Sequence, residues 1–196
     1  MKKIALVLLG CVVVLPSMAV AGQGDVLARF RVVNVGPDAS SSVDGLDVKD
    51  DTIPELDFSY FLTPNIAAEL ILGTSHHDVT LNGNKLGRVS VLPPTLTLQY
   101  HPMPDAAIRP YVGIGINYTM FYNSGLAGDT LSIKNHSTGV AFQGGIDFQL
   151  DKKSFINLDI KKIDIKTDVY VNPANSTLTT LKINPYVIGL GYGIKF

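Results

Sequence analysis

The chain contains 196 residues, with 16 Lys and Arg residues, 17 Asp and Glu residues, one Cys and no Trp. A formal net charge of −1 excludes the broad basic surface of a nucleic-acid-binding protein, so no nucleic acid is expected as a partner. One cysteine cannot form an internal disulfide, and the length is that of a single domain.

The beginning of the chain has the pattern of a secretory signal peptide. Two lysines precede an apolar run at 4–15, and Ala19 and Ala21 are the small residues of a small-x-small cleavage site before Gly22. We therefore predict a signal peptide at 1–21 and one exported domain at 22–196. No stretch of that domain reaches about 18 consecutive apolar residues, so no transmembrane helix is predicted. A soluble periplasmic domain and an outer-membrane barrel are the two alternatives.

Eight segments of the exported domain alternate between apolar and polar residues, which is the pattern of β-strands with two different faces. They are predicted at about 25–35, 52–62, 66–74, 94–101, 108–121, 138–150, from 155 onward, and from about 181 to the end of the chain. The last segment alternates most regularly, with Tyr186, Ile188, Leu190, Tyr192, Ile194 and Phe196 on one face. In an outer-membrane barrel these large side chains face lipid, and the small or charged residues between them face the lumen.

The seventh segment breaks its pattern after Ile160, because Lys162 and Asp164 occupy positions that are expected to face lipid. Either the strand leaves the membrane at this point, or a β-bulge resets its register. The sequence is compatible with both interpretations.

The connections between segments alternate in length. Short connections are predicted at 63–65, 102–107 and 151–154, and long ones at 36–51, 75–93, 122–137 and 166–180. This layout is typical of outer-membrane barrels, which have short periplasmic turns and long extracellular loops. A soluble lipocalin-type barrel needs an apolar interior, whereas the polar face here is rich in charged residues. The fold class that we predict is all-β: a transmembrane, eight-stranded, antiparallel up-and-down β-barrel in the bacterial outer membrane.

Charged residues of both signs have the parity of the lumen in the predicted strands. They are Arg29, Arg31, Arg109, Lys161 and Lys195, together with Glu55, Asp57, Glu69, Asp147 and Asp159. Equal numbers of the two signs predict ion pairs that fill the narrow interior of an eight-stranded barrel. The alternative is a charged lining that selects among solutes.

A family resemblance is carried by four stretches, which are Asn65–Leu70, Leu92–Leu96, Arg109–Thr119 and Asn184–Phe196. On these stretches the chain resembles the outer-membrane protein W family along essentially the whole exported domain. The resemblance implies a monomeric barrel with a narrow, largely apolar pocket on its extracellular side. It also implies passage of small hydrophobic molecules, with sideways release into the bilayer. The alternative function is a structural or adhesive barrel whose loops bind phage, colicin or a host surface.

The family's constriction pairs an aliphatic residue, just past the glutamate of the third strand, with a tryptophan on the seventh strand. The resemblance assigns these positions to Ile71 and Lys161, and the second departs from the family pattern. From these positions and from the apolar residues of the loops, we predict a pocket lined by Ile71, Leu81, Leu86, Phe121, Lys161, Ile163 and Ile165. The alternative is that the apolar loop residues only pack against one another or anchor the loops at the lipid interface.

No catalytic, metal or cofactor site is expected. His76 and His77 are adjacent, so a strand would point them to opposite faces. No Ser, His and carboxylate residues converge in the predicted topology, which argues against an enzyme. The expected partners are outer-membrane lipid and lipopolysaccharide, small hydrophobic solutes, and the assembly machinery acting through the C-terminal Phe196.

Overall fold

Alternating side chains produce fourteen β-strands in the computed structural model, which describes residues 22–174 and 176–196. The strands are β1 (Val26–Gly36), β2 (Leu46–Val48), β3 (Asp51–Thr63), β4 (Ile66–Gly73), β5 (Ser75–Leu81), β6 (Asn84–Leu92), β7 (Thr95–Tyr100), β8 (Ile108–Tyr122), β9 (Leu131–Ile133), β10 (His136–Gln149), β11 (Ser154–Ile163), β12 (Lys166–Val171), β13 (Ser176–Lys182) and β14 (Tyr186–Lys195). The predicted signal peptide lies outside the described residues. Within these residues there is no helix long and apolar enough to cross a membrane.

Eight long strands form a closed barrel. They pair in the order β1, β3, β4, β7, β8, β10, β11 and β14, and β14 then pairs with β1. Every neighbouring pair is antiparallel. The predicted eight-stranded up-and-down barrel is therefore confirmed. Closure leaves no free sheet edge, which is what a sheet in a bilayer requires, because lipid cannot hydrogen-bond to the backbone.

The two faces of the barrel strands differ as the alternation predicts. The outward face exposes large apolar side chains such as Phe30, Leu98, Ile114 and Leu190. The inward face of the same strands buries polar and charged groups, beginning with Arg29 on β1. Transfer of each large apolar side chain from water to lipid contributes roughly 1.5–3 kcal/mol, so the outward face stabilises the barrel only in a membrane.

The seventh barrel strand, β11, keeps one register to its end. Lys162 is the partner of Phe142 on one side and of Tyr186 on the other, and no bulge interrupts either pairing. Of the two interpretations of this segment, the strand therefore leaves the membrane. Its Lys162 ammonium group lies 3.6 Å from the centre of the Tyr186 ring and 3.1 Å from a carboxylate oxygen of Asp38, at the extracellular rim.

The predicted long connections contain the six remaining strands, which the sequence analysis missed. β5 and β6 form a hairpin that turns at Asn82 and Gly83, whose φ angles are 49° and 81°. An Asn-Gly pair with two positive φ angles is the preferred two-residue hairpin turn, so this hairpin could have been predicted from the sequence. β9, β12 and β13 form a second small sheet above the membrane. The eighth predicted segment began too early, since Leu181 lies in β13 and the barrel strand β14 begins at Tyr186.

The interior of the barrel has three levels. At the periplasmic end, defined by the short turns, Leu27, Phe61, Ala67 and Phe155 form a small apolar cluster. The middle level contains the buried charges. At the extracellular end a larger apolar cluster includes residues from the barrel and from the β5–β6 hairpin. The chemistry of the lumen therefore changes twice along the barrel axis.

Candidate functional site

The extracellular end of the barrel contains a deep apolar cavity. Its wall includes Val79, Leu86 and Val89 from the β5–β6 hairpin, together with Phe121 from β8 and Val187 from β14. The space between protein atoms, including the part that opens to solvent, is about 1060 Å³. A concave, mostly apolar pocket with a few polar groups is the usual form of a small-molecule site.

Six of the seven residues predicted to line a pocket lie together in this wall, namely Ile71, Leu86, Phe121, Lys161, Ile163 and Ile165. Leu81 does not, because a register shift between Val79 and Thr80 ends the inward alternation of β5 before it reaches Leu81. Leu81 pairs instead with Leu46 on β2.

Several wall residues were missed by the sequence analysis. Val33 and Val187 have the lumen parity of the first and last barrel strands, directly beyond the charged and glycine positions. On the lumen face, charged residues or glycines give way to valine toward the extracellular end of both strands. This change in the sequence could have predicted an apolar wall there. Val169 and Leu181 reach the wall from β12 and β13. They could not have been predicted without knowing that these loop segments form a sheet.

The floor of the cavity is polar. Lys161 donates from its Nζ atom to Glu55 Oε1 at 2.8 Å and to Asp159 Oδ1 at 2.7 Å. The Lys161 side chain is 1 % exposed and the Glu55 side chain 7 % exposed. The tryptophan position of the family constriction is therefore occupied here by a buried ion pair rather than by an apolar ring.

Arg31 connects the floor to the charged middle level. Its guanidinium group donates to Glu55 at 3.0 Å, to Glu69 at 3.2 Å and to Asn157 at 2.7 Å. It also lies 2.7 Å from the Asp57 carboxylate. A planar guanidinium group that meets several carboxylates at once fixes their positions, which a lysine at the same place would not do.

Arg29 is the other buried arginine of the charged middle level. It lies two residues before Arg31 on β1, on the same face of the strand and nearer the periplasmic end. It donates to Asp57 at 2.9 Å, to Ser59 at 2.8 Å and to Asp147 at 3.2 Å. The two arginines share Asp57, so the ion pairs form one network across the lumen. This network fills the middle of the barrel, as the interior of an eight-stranded barrel permits.

Nine of the ten residues predicted for the charge network are buried. Lys195 is different, because it lies at the periplasmic end and pairs with Asp25 at 3.1 Å. Strand parity gives the face of a residue but not its height along the barrel, which is why the sequence assigned Lys195 to the network. Arg109 is buried low in the lumen, where its guanidinium group lies 5.2 Å from the centre of the Phe155 ring.

Glycines on β14 make room for this filling. A Cβ atom on Gly191 would lie 2.6 Å from Arg31 Cγ, and one on Gly193 would overlap the Phe155 ring. These glycines are space for the large neighbouring side chains rather than a passage, since the space beside them is occupied. The lumen below the cavity is closed by the charge network and by the apolar cluster beneath it.

The wall of the cavity contains an interrupted hydrogen-bond ladder. The last pair between β4 and β7 is Ile71 with Thr95, and the first pair between β5 and β6 is Ser75 with Val91. Both pairs have the same register, but residues 72–74 and 92–94 form no ladder between them. We call this stretch the seam.

Two prolines explain the seam. Pro93 and Pro94 have no backbone N–H group, so they cannot donate across it. On the other side of the strand, the Pro94 carbonyl accepts a hydrogen bond from the backbone of Tyr118 on β8 at 3.1 Å. The proline segment is therefore held to β8 and not to β4. Gly73 and Pro93 both line the cavity, so the seam is part of its wall.

His77 is a polar member of the wall above the membrane. Its Nδ1 atom donates to the Lys49 carbonyl at 2.7 Å, since a carbonyl can only accept, and its Nε2 atom lies 2.8 Å from Ser75 Oγ. Burial lowers the pKa of His77 below its ordinary value of 6.5, so the ring is neutral at pH 7. His76 is exposed on the opposite face. Among the described residues, no three His, Cys, Asp or Glu side chains could together hold a metal ion.

Comparisons with known proteins identify the family. A sequence profile described as the OmpW family matches residues 21–196. The chain belongs to the OmpW family. The outer-membrane protein y4mB of Sinorhizobium fredii is 42 % identical over 190 residues, which cover 90 % of this chain and 82 % of that protein. PahQ of Pseudomonas aeruginosa, named as a dibenzothiophene metabolism operon protein, is 27 % identical, covering 86 % of this chain and 87 % of that protein.

A solved structure supports the same assignment. The crystal structure of the outer-membrane protein OprG from Pseudomonas aeruginosa superposes with a TM-score of 0.83 at 32 % identity, covering 91 % of this chain and 99 % of that one. This OmpW family member is therefore a barrel of the bacterial outer membrane. Its relatives are outer-membrane barrel proteins that are not known as enzymes.

Proposed function

We propose that the protein binds small hydrophobic solutes in the cavity and releases them sideways into the outer leaflet of the bilayer. The observation that supports this most directly is the position of the seam in the cavity wall, above a lumen that is filled. A solute that enters from outside meets a polar floor beneath it and an unpaired stretch of wall beside it.

The chemistry of the cavity favours apolar solutes. Burial of about 200 Å² of apolar solute surface contributes roughly 5 kcal/mol, which is partly offset by the loss of translational and rotational freedom on binding. A polar solute of the same size would lose water without gaining hydrogen bonds from the aliphatic wall. PahQ is named as a dibenzothiophene metabolism operon protein, which agrees with an aromatic hydrophobic solute.

Uptake of a hydrophobic aromatic compound by cells with and without the protein tests the proposal. Ile71→Trp places an indole ring in the cavity wall, narrows the cavity and should abolish the increase in uptake. Leu70→Trp is the matched control, since Leu70 is the preceding residue of β4 and faces outward. The control should leave uptake unchanged.

Two results would contradict the proposal. Uptake that does not depend on the folded protein would exclude a conduit and favour the loop-binding alternative, which trimming the β5–β6 hairpin would then test. Equal loss of uptake in both tryptophan variants would exclude the cavity as the route.

We further propose that lipopolysaccharide contacts the extracellular rim at β12 and β13. Lys166 and Lys182 are direct cross-strand partners, and neither ammonium group has an ion-pair partner among residues 22–174 and 176–196. Like charges directly opposite each other destabilise a sheet, so a phosphate between them would relieve the repulsion. Lys134 and His136 line a polar depression together with Lys166, close to the same rim.

We also propose that the outer-membrane assembly machinery contacts Phe196. Its backbone N–H is held by the Val26 carbonyl at 2.9 Å, while its side chain is 72 % exposed. Phe196→Ala should slow insertion into the membrane in cells without lowering the stability of the inserted barrel, and an unchanged insertion rate would contradict the proposal.

A further inference from the structure

The buried charges of the lumen do not balance. Nine charged residues are buried, of which four are cationic and five are carboxylates. They are Arg29, Arg31, Arg109 and Lys161, with Glu55, Asp57, Glu69, Asp147 and Asp159. Two further charges, Lys195 and Asp25, pair with each other at the periplasmic end and leave the difference unchanged. The lumen therefore has one formal negative charge in excess.

One carboxylate of this set, Glu55, lines the cavity and has one oxygen that accepts no hydrogen bond from the described residues. Glu55 Oε1 accepts from both Lys161 and Arg31. Glu55 Oε2 has no hydrogen-bond donor among the described residues, and it is not enclosed by protein atoms. Glu55 is also one of the residues that line the cavity, so Oε2 is its carboxylate oxygen available to a solute.

The other polar groups of the wall are already bonded within the protein. Thr95 donates to the Pro93 carbonyl at 3.0 Å, and Thr167 donates to the Lys134 carbonyl at 2.8 Å. Ser75 and His77 bond to each other. The Lys161 ammonium group is directed at two carboxylates, and its side chain is less exposed than that of Glu55. Among the lining side chains, what the cavity offers a solute is therefore an apolar wall and, at its base, one charged acceptor with a free oxygen.

We infer that the cavity takes amphiphilic solutes, in which a hydrophobic body carries a hydrogen-bond donor at one end, and that Glu55 Oε2 binds this donor. A primary ammonium group is the best fit, because it supplies both the donor and the positive charge that the lumen lacks. A hydroxyl group supplies the donor alone. A solute that ends in a carboxylate is repelled by Glu55 and by Asp159 beneath it. This inference rests on the proposed function and names its solute class.

Binding of four matched naphthalenes to the purified protein in lipid nanodiscs tests the inference. The probes are 1-naphthylmethylamine, 1-naphthylmethanol, 1-methylnaphthalene and 1-naphthoate, which share one ring system and differ in the terminal group. We expect the amine to bind about tenfold more tightly than the methyl compound, the alcohol to lie between them, and the carboxylate to bind least.

Two variants distinguish the effect of the Glu55 carboxylate at the cavity floor on amine binding from the effect of the total charge of the network. Glu55→Gln removes the carboxylate at the floor, and should reduce the ratio of amine to methyl affinity about tenfold. Asp57→Asn removes a charge from the same network, but its side chain is fully buried and does not line the cavity. It should lower the ratio by less than Glu55→Gln does, because it removes the excess negative charge of the lumen but leaves the acceptor at the floor in place. Barrel formation by each variant is checked by the mobility shift of unheated samples on gels.

The outcomes are distinct. Equal affinity for the amine and the methyl compound in the unmodified protein overturns the inference while leaving the proposed function intact. The same loss of preference in Glu55→Gln and Asp57→Asn overturns the role of Glu55. Binding of none of the four compounds by a folded barrel overturns both the inference and the proposed function.

Discussion

Arg31 should be the side chain whose loss destabilises the barrel most. Its guanidinium group lies within 3.2 Å of oxygens of Glu55, Asp57 and Glu69, and its side chain is fully buried. Arg31→Met keeps a long side chain but removes the cation that these carboxylates share, so that Glu55 then depends on Lys161, and Asp57 and Glu69 on Arg29, for charge compensation. Loss of one partner of a buried ion pair costs about 3–5 kcal/mol, and we expect the free energy of unfolding to fall by that amount.

The measurement is equilibrium unfolding in urea with phospholipid vesicles, followed by circular dichroism, because the chain has no tryptophan. Val32→Met is the matched control, since Val32 is the next residue of β1 and is 53 % exposed on the lipid face. It should change stability by less than about 0.5 kcal/mol. A double-mutant cycle of Arg31→Met with Glu69→Gln should give a coupling of about 0.5–3 kcal/mol. Destabilisation below about 1 kcal/mol in Arg31→Met would refute the network as a source of stability.

Three further perturbations test the membrane depth, the cavity hairpin and the rim. Ile114→Arg in the middle of β8 should cost about 2–4 kcal/mol and Met120→Arg near its end about 0–1 kcal/mol, and equal costs in the same urea titration would contradict the assigned depth. The folded-state pKa of His77 is lowered by burial, so its contribution to stability is complete above pH 6.5 and is lost as the pH falls below that value. The protection of β5 amides from hydrogen exchange, relative to the intrinsic exchange rate at each pH, should fall below pH 6.5, and His77→Phe should remove that dependence. Replacement of Lys166 and Lys182 by Gln should weaken binding of lipopolysaccharide but not of its dephosphorylated form, and equal binding of the two forms to the unmodified protein would exclude the rim site.

The barrel was predictable because its strands repeat one simple rule. The alternation from Tyr186 to Ile194 gives the face of every residue, and the lengths of the connections give the side of the membrane. A bilayer enforces this rule strongly, since a one-residue slip would turn charges into lipid. The parity of a residue in a barrel strand therefore predicted whether its side chain faces lipid or the lumen.

The site was predictable only where it follows the barrel strands. Ile71 and Lys161 inherit their place from β4 and β11, whereas Leu81 depended on a hairpin register that a single bulge changes. The seam lies between two segments that are distant in sequence, 72–74 and 92–94, so its pairing could not be predicted from local pattern. Only the missing N–H donors of Pro93 and Pro94 could be recognised in the sequence. Ion-pair partners such as Lys195 and Asp25 depend on height in the barrel, which alternation does not encode.

The unpaired backbone at the seam also limits the depth at which a solute can leave. Peptide groups without partners are very unfavourable in the hydrocarbon of a bilayer, so the edge of residues 72–74 that faces the prolines requires water. That water can reach them from the cavity, which opens to the exterior. On the proposed route, the exit would be a wet boundary at the level of the lipid headgroups, and a departing molecule would join the leaflet at its polar surface before it enters the acyl chains.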